Sequence, residues 1–220
     1  MFNTNDRFIV VDTETTNSID DPLCYDVGFA VVDVFGNVYE FYSFAVAEIF
    51  LDKELMSSAY FAEKVPAYWD DIKNGTRTLK RFYNIKKIFA KCVKKYHVKI
   101  VMAHNARFDY RSLTLTQRFI TCSKNRFFFP YNVEIWDTLK MSRAVLKNDD
   151  NYSIFCHDND YLTDRKVKRY TAEILYRFIS GNNNFEESHT GLEDVLIEKE
   201  IFTFCLEKMP EINGALWERD

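Results

Sequence analysis

The stretch Phe8-Ile9-Val10-Val11-Asp12-Thr13-Glu14-Thr15-Thr16 decides how the rest of the chain is interpreted. Its four leading apolar residues have the pattern of a short buried strand. Asp12 and Glu14 follow at a spacing of two, which in a strand directs both side chains to the same face. Burying two adjacent carboxylates is costly unless a cation neutralises them. Taken alone, the pair also fits a polar strand end in solvent, because this spacing is common.

The patterns further along the chain predict a mixed sheet with helices packed on it, an α/β domain. Strand-like runs cover residues 27–34, 38–46, 99–103 and 133–136, and the first two are joined by a turn at Phe35-Gly36-Asn37. Helical patterns cover residues 79–96, 109–120, 138–146 and 171–179, and a final helix is expected to begin near Thr190. We expect residues 1–220 to form a single domain with a polar insertion near 148–170, where residues 148–164 read as a loop or small hairpin.

The charge is unevenly distributed along the chain. The net charge is −4, yet residues 72–108 carry eleven bases and no acid, whereas residues 1–71 carry fourteen acids and three bases. Such segregation allows a basic surface on an acidic protein, and it allows carboxylates from distant segments to meet around cations. The five scattered cysteines and the lack of an apolar run of about 20 residues lead us to expect a cytoplasmic protein without a membrane partner.

Two further motifs place acidic residues at predicted helix starts. In His104-Asn105-Ala106-Arg107-Phe108-Asp109 the acid opens a helix after a strand, although a helix-capping role alone would account for it. In His189-Thr190-Gly191-Leu192-Glu193-Asp194, Thr190 and Glu193 have capping-box spacing. The histidine is therefore expected in the loop before the helix and Asp194 inside its first turn, which suits a mobile base beside a fixed metal ligand.

Together the three segments resemble the DnaQ-like, or DEDDh, family of 3′–5′ exonucleases, which includes polymerase proofreading subunits, among them phage-encoded ones. The motifs occur in the family's order, and their conjunction is far more specific than any one of them. The resemblance implies a ribonuclease-H-like fold with a mixed five-stranded sheet flanked by helices. It also implies metal-dependent hydrolysis at the 3′ end of single-stranded DNA, or RNA, that releases nucleoside 5′-monophosphates.

Carried over to this sequence, the resemblance assigns the catalytic and metal-binding residues. Two Mg²⁺ or Mn²⁺ ions are expected, which hard oxygen ligands favour over zinc. Asp12 would bridge both ions, Glu14 and Asp194 would complete one site, and Asp109 would help to hold the second. His189, with an ordinary pKa near 6.5, would take the proton from the attacking water.

The same resemblance predicts a pocket for the terminal nucleotide. The matching positions are Thr15, Thr16, His104, Asn105 and Phe108. The chain departs from the family after Thr16: it reads Asn17-Ser18-Ile19 where many relatives have a glycine and an apolar wedge. The turn is compatible with Asn17, since asparagine tolerates a left-handed backbone, and Ile19 is the candidate for the wedge.

Three functions remain open from the sequence. The first is a 3′–5′ exonuclease, with DNA preferred over RNA, acting in replication proofreading beside a DNA polymerase or in nucleic-acid processing. The second is an RNA-trimming enzyme of the same family. The third is a catalytically silent module that binds nucleic acid or docks on a polymerase. A silent module has no reason to keep all five residues Asp12, Glu14, Asp109, His189 and Asp194, which favours the enzyme.

Overall fold

A six-stranded mixed sheet runs through the structure, a computed structural model that describes residues 2–17, 21–59, 61–121 and 126–217. The strands are β1 (Phe8–Thr16), β2 (Leu23–Val32), β3 (Val38–Val46), β4 (Thr78–Lys80), β5 (Ile100–Ala103) and β6 (Glu134–Asp137). Their order across the sheet is β4-β3-β2-β1-β5-β6. Strand β2 is antiparallel to both β1 and β3, whereas the β3–β4, β1–β5 and β5–β6 pairs are parallel.

The sequence patterns predicted five strands, and the sixth is β4. This short strand occupies the start of the segment 79–96 that was expected to be helical, because it pairs with the end of β3 from Phe44↔Thr78 to Val46↔Lys80. The helix begins only at Phe82, whose backbone N–H donates to Glu48 Oε2 at 2.9 Å. A carboxylate distant in sequence therefore satisfies a free amide at the helix start, which a local pattern does not reveal.

Helices cover both faces of the sheet. They are α1 (Ala47–Phe50), α2 (Lys53–Met56), α3 (Val65–Asn74), α4 (Phe82–Lys95), α5 (Arg107–Ile120), α6 (Thr138–Leu146), α7 (Asp150–Asp158), α8 (Ala172–Ser180) and α9 (Gly191–Lys208), with a 3₁₀ turn at Ala62–Lys64 before α3. The predicted helix 138–146 is confirmed residue for residue as α6. No helix within the described residues has the length and apolar character that crossing a membrane requires.

The prediction of a loop or small hairpin at residues 148–164 is wrong for the first half of this segment, where α7 forms. Asp149 caps this helix, because its carboxylate accepts the Tyr152 N–H at 2.8 Å. Tyr152 and Cys156, one turn apart, are fully buried, so tertiary packing stabilises a segment whose composition reads as polar loop. Beyond α7 an isolated bridge between Leu162 and Lys168 forms a small hairpin-like turn, which overlaps only the last residues of the expected loop.

Side chains of β1 alternate between two apolar cores. Ile9 and Val11 belong to the core shared with α4 and α5, whereas Phe8 and Val10 belong to the core on the side of α6 to α9. The Phe8 ring, for example, lies 4.9 Å from the ring of Phe202 in α9. Because side chains alternate along a strand, Asp12 and Glu14 continue the second face and point towards α9.

The start of α9 lies directly on β2 through a contact between two glycine backbones. A Cβ on Gly28 would meet the Gly191 backbone carbon at 2.1 Å, so only glycine permits this approach. Asp26, two residues earlier on the same face of β2, accepts the Gly191 N–H at 3.0 Å, the Tyr68 hydroxyl at 2.6 Å and a hydrogen bond from the Arg77 guanidinium. Asp26 thus joins α3, α9 and Arg77, which directly precedes β4, to strand β2.

We predict that Gly28→Ala will destabilise the fold by roughly 3 kcal/mol or more, because the added methyl group must displace backbone rather than a flexible side chain. Gly181→Ala is the control: Gly181 has φ 70° and nothing within 4 Å of an added Cβ, so only left-handed strain of about 1–2 kcal/mol is expected. Urea unfolding midpoints and slopes measure both. Equal losses in the two variants would contradict the close-approach explanation.

Candidate active site

The structure brings together the four acids that the sequence motifs singled out. Asp12 and Glu14 lie in the second half of β1, Asp109 in the first turn of α5 and Asp194 in the first turn of α9. The register of β1 and β2 places Asp12 opposite Gly28, where the N-terminus of α9 lies on the sheet. The Gly28–Gly191 contact therefore delivers Asp194 to the side of β1 that carries Asp12 and Glu14.

A potential cation site lies between Glu14, His189 and Asp194. Each of these residues offers one ligand atom, and the three atoms lie within 4.8 Å of one another. Asp12 Oδ2 and Asp194 Oδ1 are buried and have no hydrogen-bond partner. Buried anionic oxygens without partners carry a large desolvation penalty that a cation would offset, so the donor set fits a divalent ion with a preference for oxygen ligands.

A fifth acid, Glu198, belongs to the same cluster and was missed by the motif analysis. It lies one helical turn beyond Asp194 in α9 and is 2% exposed. It accepts a hydrogen bond from the backbone N–H of His104, while its Oε2 has no partner. The spacing of four from Asp194 is the signal that could have found it, since residues four apart share one face of a helix.

Burial and mutual repulsion raise the pKa values of these carboxyl groups. Burial is the largest cause for each of them. The pKa of Glu14 rises to about 9 and that of Asp194 to about 8, in both cases with further contributions from neighbouring acids. Burial is followed, for the pKa of Asp12, by the charges of Asp109, Glu198, Asp194 and Glu14, all of which raise it. At neutral pH the cluster is therefore more stable when its carboxyl groups bind protons or cations than when all of them are free anions.

Asp109 is held by polar neighbours from β1 and its own helix. The Thr13 hydroxyl, on the face of β1 opposite to Asp12, donates to Asp109 Oδ1 at 2.9 Å and lies 2.9 Å from the Ser112 hydroxyl. Burial raises the pKa of Asp109 to about 7, against the lowering effect of the Thr13 hydrogen bond. Asp109 thus lies at the junction of β1 and α5, with one oxygen fixed by Thr13.

His189 lies just outside α9, as the capping pattern predicted. Its backbone has φ 51°, in the left-handed region, and its ring stacks on Phe61 with 4.5 Å between centroids and 12° between planes. Nδ1 is 3.8 Å from Glu187 Oε2, too far for a direct hydrogen bond. Burial and, next, the charge of Lys64 lower the pKa of His189, which favours the neutral ring.

Several residues predicted to line the nucleotide pocket have structural roles. Both ring nitrogens of His104 are engaged: Nε2 donates to the Tyr170 carbonyl at 2.7 Å, and Nδ1 is 3.0 Å from the Thr138 hydroxyl. Thr16 is fully buried, and its hydroxyl donates to the Leu23 carbonyl at 3.3 Å. Thr16 therefore has no exposed side chain, whereas the partly exposed ring of His104 joins the end of β5 to α6 and to the segment before α8.

Other predicted pocket residues are accessible. Asn105 is exposed in a left-handed conformation with φ 66°, and its N–H donates to Asp137 Oδ1 at 2.9 Å. Asp137 also accepts the Leu139 N–H at 2.9 Å, so it caps α6. Thr15 and Phe108 are partly exposed. The wedge candidate Ile19 lies outside the described residues.

Comparison with known proteins identifies the fold. The sequence matches no protein-family model and no curated protein. Solved structures do match: exonuclease I from E. coli in complex with a dA16 oligonucleotide (TM-score 0.54, 14% identity) covers 93% of this chain. Exonuclease I from Methylocaldum szegediense (TM-score 0.55, 14% identity) covers 94%, and Pop2p from S. pombe in a form with Mg²⁺ and Mn²⁺ bound (TM-score 0.52, 13% identity) covers 95%.

These likenesses confirm the predicted ribonuclease-H-like fold, a mixed sheet flanked by helices. The chain spans 41% of each of the two exonuclease I chains and 85% of the Pop2p chain, so it corresponds to about two-fifths of the former. At such low identity the comparison concerns the fold, and the roles of individual residues rest on the geometry described above.

We predict that Mg²⁺ or Mn²⁺ will raise the melting temperature and that the increase will be larger at pH 8 than at pH 6. The cause is that the folded-state pKa values of the buried acids lie above their unfolded values. The metal-free fold therefore loses stability as pH rises from about 4 towards 9, and cations compete with protons for the same oxygens. Differential scanning calorimetry with chelator and with metal measures both effects.

A charge-neutralising variant provides the matching test. Glu198→Gln should raise the metal-free melting temperature by roughly 2–4 °C, about 1 kcal/mol, because one buried like charge is removed. Glu207→Gln, at an exposed acid near the other end of the same helix, should leave it unchanged. A metal-free protein whose stability does not fall with rising pH would contradict the repulsion between these carboxylates.

Proposed function

We propose that this protein is a metal-dependent 3′–5′ exonuclease acting on single-stranded nucleic acid, with DNA preferred over RNA. The observation that carries the proposal is the convergence of Asp12, Glu14, Asp109 and Asp194 beside His189 on a ribonuclease-H-like sheet. The buried oxygens Asp12 Oδ2 and Asp194 Oδ1 have no hydrogen-bond partner, so they cost stability unless cations bind, and a purely structural role would give them no advantage. The E. coli structure with a dA16 oligonucleotide supports single-stranded DNA as the first substrate to test.

In this proposal Asp12, Glu14, Asp109 and Asp194 would hold two Mg²⁺ or Mn²⁺ ions. When bound, such ions stabilise the attacking and leaving oxygens of an in-line displacement at phosphorus. His189 accepts the proton of the attacking water, for which its lowered pKa keeps it neutral at physiological pH. Hydrolysis breaks the bond between phosphorus and the 3′ oxygen of the preceding nucleotide and releases a nucleoside 5′-monophosphate.

The other functions differ in measurable ways. An RNA-trimming enzyme would degrade RNA faster than DNA with the same metal dependence, and a silent module would bind either strand without cleavage. A role beside a DNA polymerase remains a prediction from the family resemblance. We favour a cleaving enzyme over a binding module, because binding nucleic acid would not require buried carboxylates without hydrogen-bond partners such as Asp12 and Asp194.

We predict that the protein will shorten a 5′-labelled oligonucleotide stepwise from its free 3′ end in the presence of Mg²⁺ or Mn²⁺ and not with chelator. Asp12→Ala should abolish the ladder, because Asp12 lies at the centre of the acidic cluster. Thr4→Ala, on the exposed segment before β1, is a control that should retain full activity. A ladder that survives chelation, or that persists in Asp12→Ala, would contradict the metal mechanism.

We predict that His189→Ala will lower kcat by roughly 10²–10⁴-fold, the usual contribution of a general base. Binding of single-stranded DNA should change little, because the ring is proposed to act on water. The wild-type rate at saturating metal should fall as pH drops through a pKa below about 6.5, the ordinary histidine value. The direction follows from the burial and Lys64 charge that disfavour the protonated ring. Near-normal turnover in His189→Ala would remove this assignment.

A further inference from the structure

A segment far from the motifs contacts the catalytic histidine. Phe61 and Lys64, at the 3₁₀ turn before α3, lie more than 120 residues from His189 in sequence. The Phe61 ring stacks almost parallel on the imidazole, at 4.5 Å and 12°. The Lys64 ammonium donates to the backbone carbonyl of Ser188 and lies 4.5 Å from the centre of the Phe61 ring. One short segment thus contacts both the ring of His189 and the backbone just before it.

We propose that Phe61 and Lys64 are positioning residues that fix the orientation of the His189 ring, an inference that rests on the proposed exonuclease function. Phe61 provides a flat surface against which the imidazole is held, and Lys64 fixes the loop through the Ser188 carbonyl. Neither residue needs to touch the substrate for this role.

The need for such support follows from the backbone at His189. The residue precedes α9, so no helical hydrogen bond holds it, and its left-handed φ of 51° is unfavourable for a side chain with a Cβ. Side-chain contacts must therefore supply the order that the helix supplies to Asp194. A parallel aromatic contact adds stabilisation beyond burial, which favours one ring orientation over the alternatives.

The position of Lys64 also limits its other possible roles. Its charge lowers the pKa values of Glu14, Asp194 and His189, so it lies close to all three. A cation in this place could instead contact a substrate phosphate. We favour the positioning role because the ammonium already donates to Ser188 and lies over the Phe61 ring, two contacts that a phosphate ligand would have to compete with.

The first experiment observes the stack directly by NMR of the histidine ring protons in the full chain, with chelator and with Mg²⁺. Stacking on an aromatic ring moves the His189 resonances upfield, and His189→Ala assigns them among the four histidines. The upfield shift should vanish in Phe61→Ala and persist in Phe61→Tyr, whereas Phe119→Ala, at an exposed phenylalanine of α5, should leave it intact. A His189 resonance that is unaffected by Phe61→Ala would overturn the proposal.

The second experiment is a double-mutant cycle on single-stranded DNA cleavage. Phe61→Ala should lower kcat roughly 10- to 100-fold, the scale of a misplaced catalytic group, while KM stays within about two-fold. Phe61→Tyr should restore kcat. In the His189→Ala background, Phe61→Ala should cause no further loss, because its effect passes through the missing ring. An equal loss with and without His189 would mean that Phe61 acts elsewhere.

Lys64 is tested in the same assay. Lys64→Met should lower kcat and Lys64→Arg should restore it, while Lys53→Met, at an exposed lysine of α2, should have no effect. A raised KM with unchanged kcat in Lys64→Met would identify a phosphate contact and overturn its positioning role. A wild-type protein without metal-dependent cleavage would overturn the proposed function itself. A different result would overturn this inference alone: the wild type cleaves DNA, His189→Ala loses kcat as predicted, and Phe61→Ala keeps the wild-type kcat.

Discussion

The contact between the Gly28 and Gly191 backbones is the constraint on which the site depends. It lets the N-terminus of α9 lie against β2 at the position opposite Asp12, with no side chain between them. There Asp26 accepts a hydrogen bond from the Gly191 N–H. The N-cap residue of α9, Thr190, makes no capping hydrogen bond with its side chain. Because Asp26 is neutralised by Arg77 and bonded to Tyr68, the start of α9 is fixed by charge-assisted contacts in the protein interior. Packing between strand and helix therefore determines where Asp194 lies.

This arrangement creates electrostatic repulsion, which lowers the stability of the fold. Five acids, Asp12, Glu14, Asp109, Asp194 and Glu198, are brought together where burial raises the pKa of each. The apolar cores on the two faces of the sheet must hold these groups together against their mutual repulsion, which an isolated strand and helix could not do. Glu198 increases this cost and makes the cluster more acidic than the four motif residues alone would. A cation that bound among these acids would relieve their mutual repulsion.

The sequence predicted those parts of the structure that depend on local patterns. The apolar runs of β1 to β3, the helix 138–146 and the acids in the first turns of α5 and α9 all follow from local composition and spacing. The parts that were missed depend on contacts between distant segments: β4 forms by pairing with β3, α7 by burying Tyr152 and Cys156, and the Asp26–Arg77 pair by joining β2 to β4. The ring contacts of His104 with Thr138 and Tyr170 likewise join distant segments, while its predicted place in the nucleotide pocket stays a prediction. Glu198 was accessible to a helical-face argument, whereas nothing in the local sequence links Phe61 to His189.

Within six residues, the segment from His189 to Asp194 places one functional side chain in a loop and another inside a firmly anchored helix. Asp194 lies inside α9, whose start is fixed by Asp26 and Gly28, so the carboxylate that would hold a cation cannot move without displacing the helix. His189 lies outside that helix and is ordered by Phe61 and by the Lys64 contact to Ser188. Asp194 is thus held by backbone contacts and buried charges, whereas His189 depends on two side-chain contacts, so separate parts of the fold position the two groups. Because loop and helix separate at Thr190, a change at Phe61 or Lys64 would displace the ring of His189 while the acids stay in place.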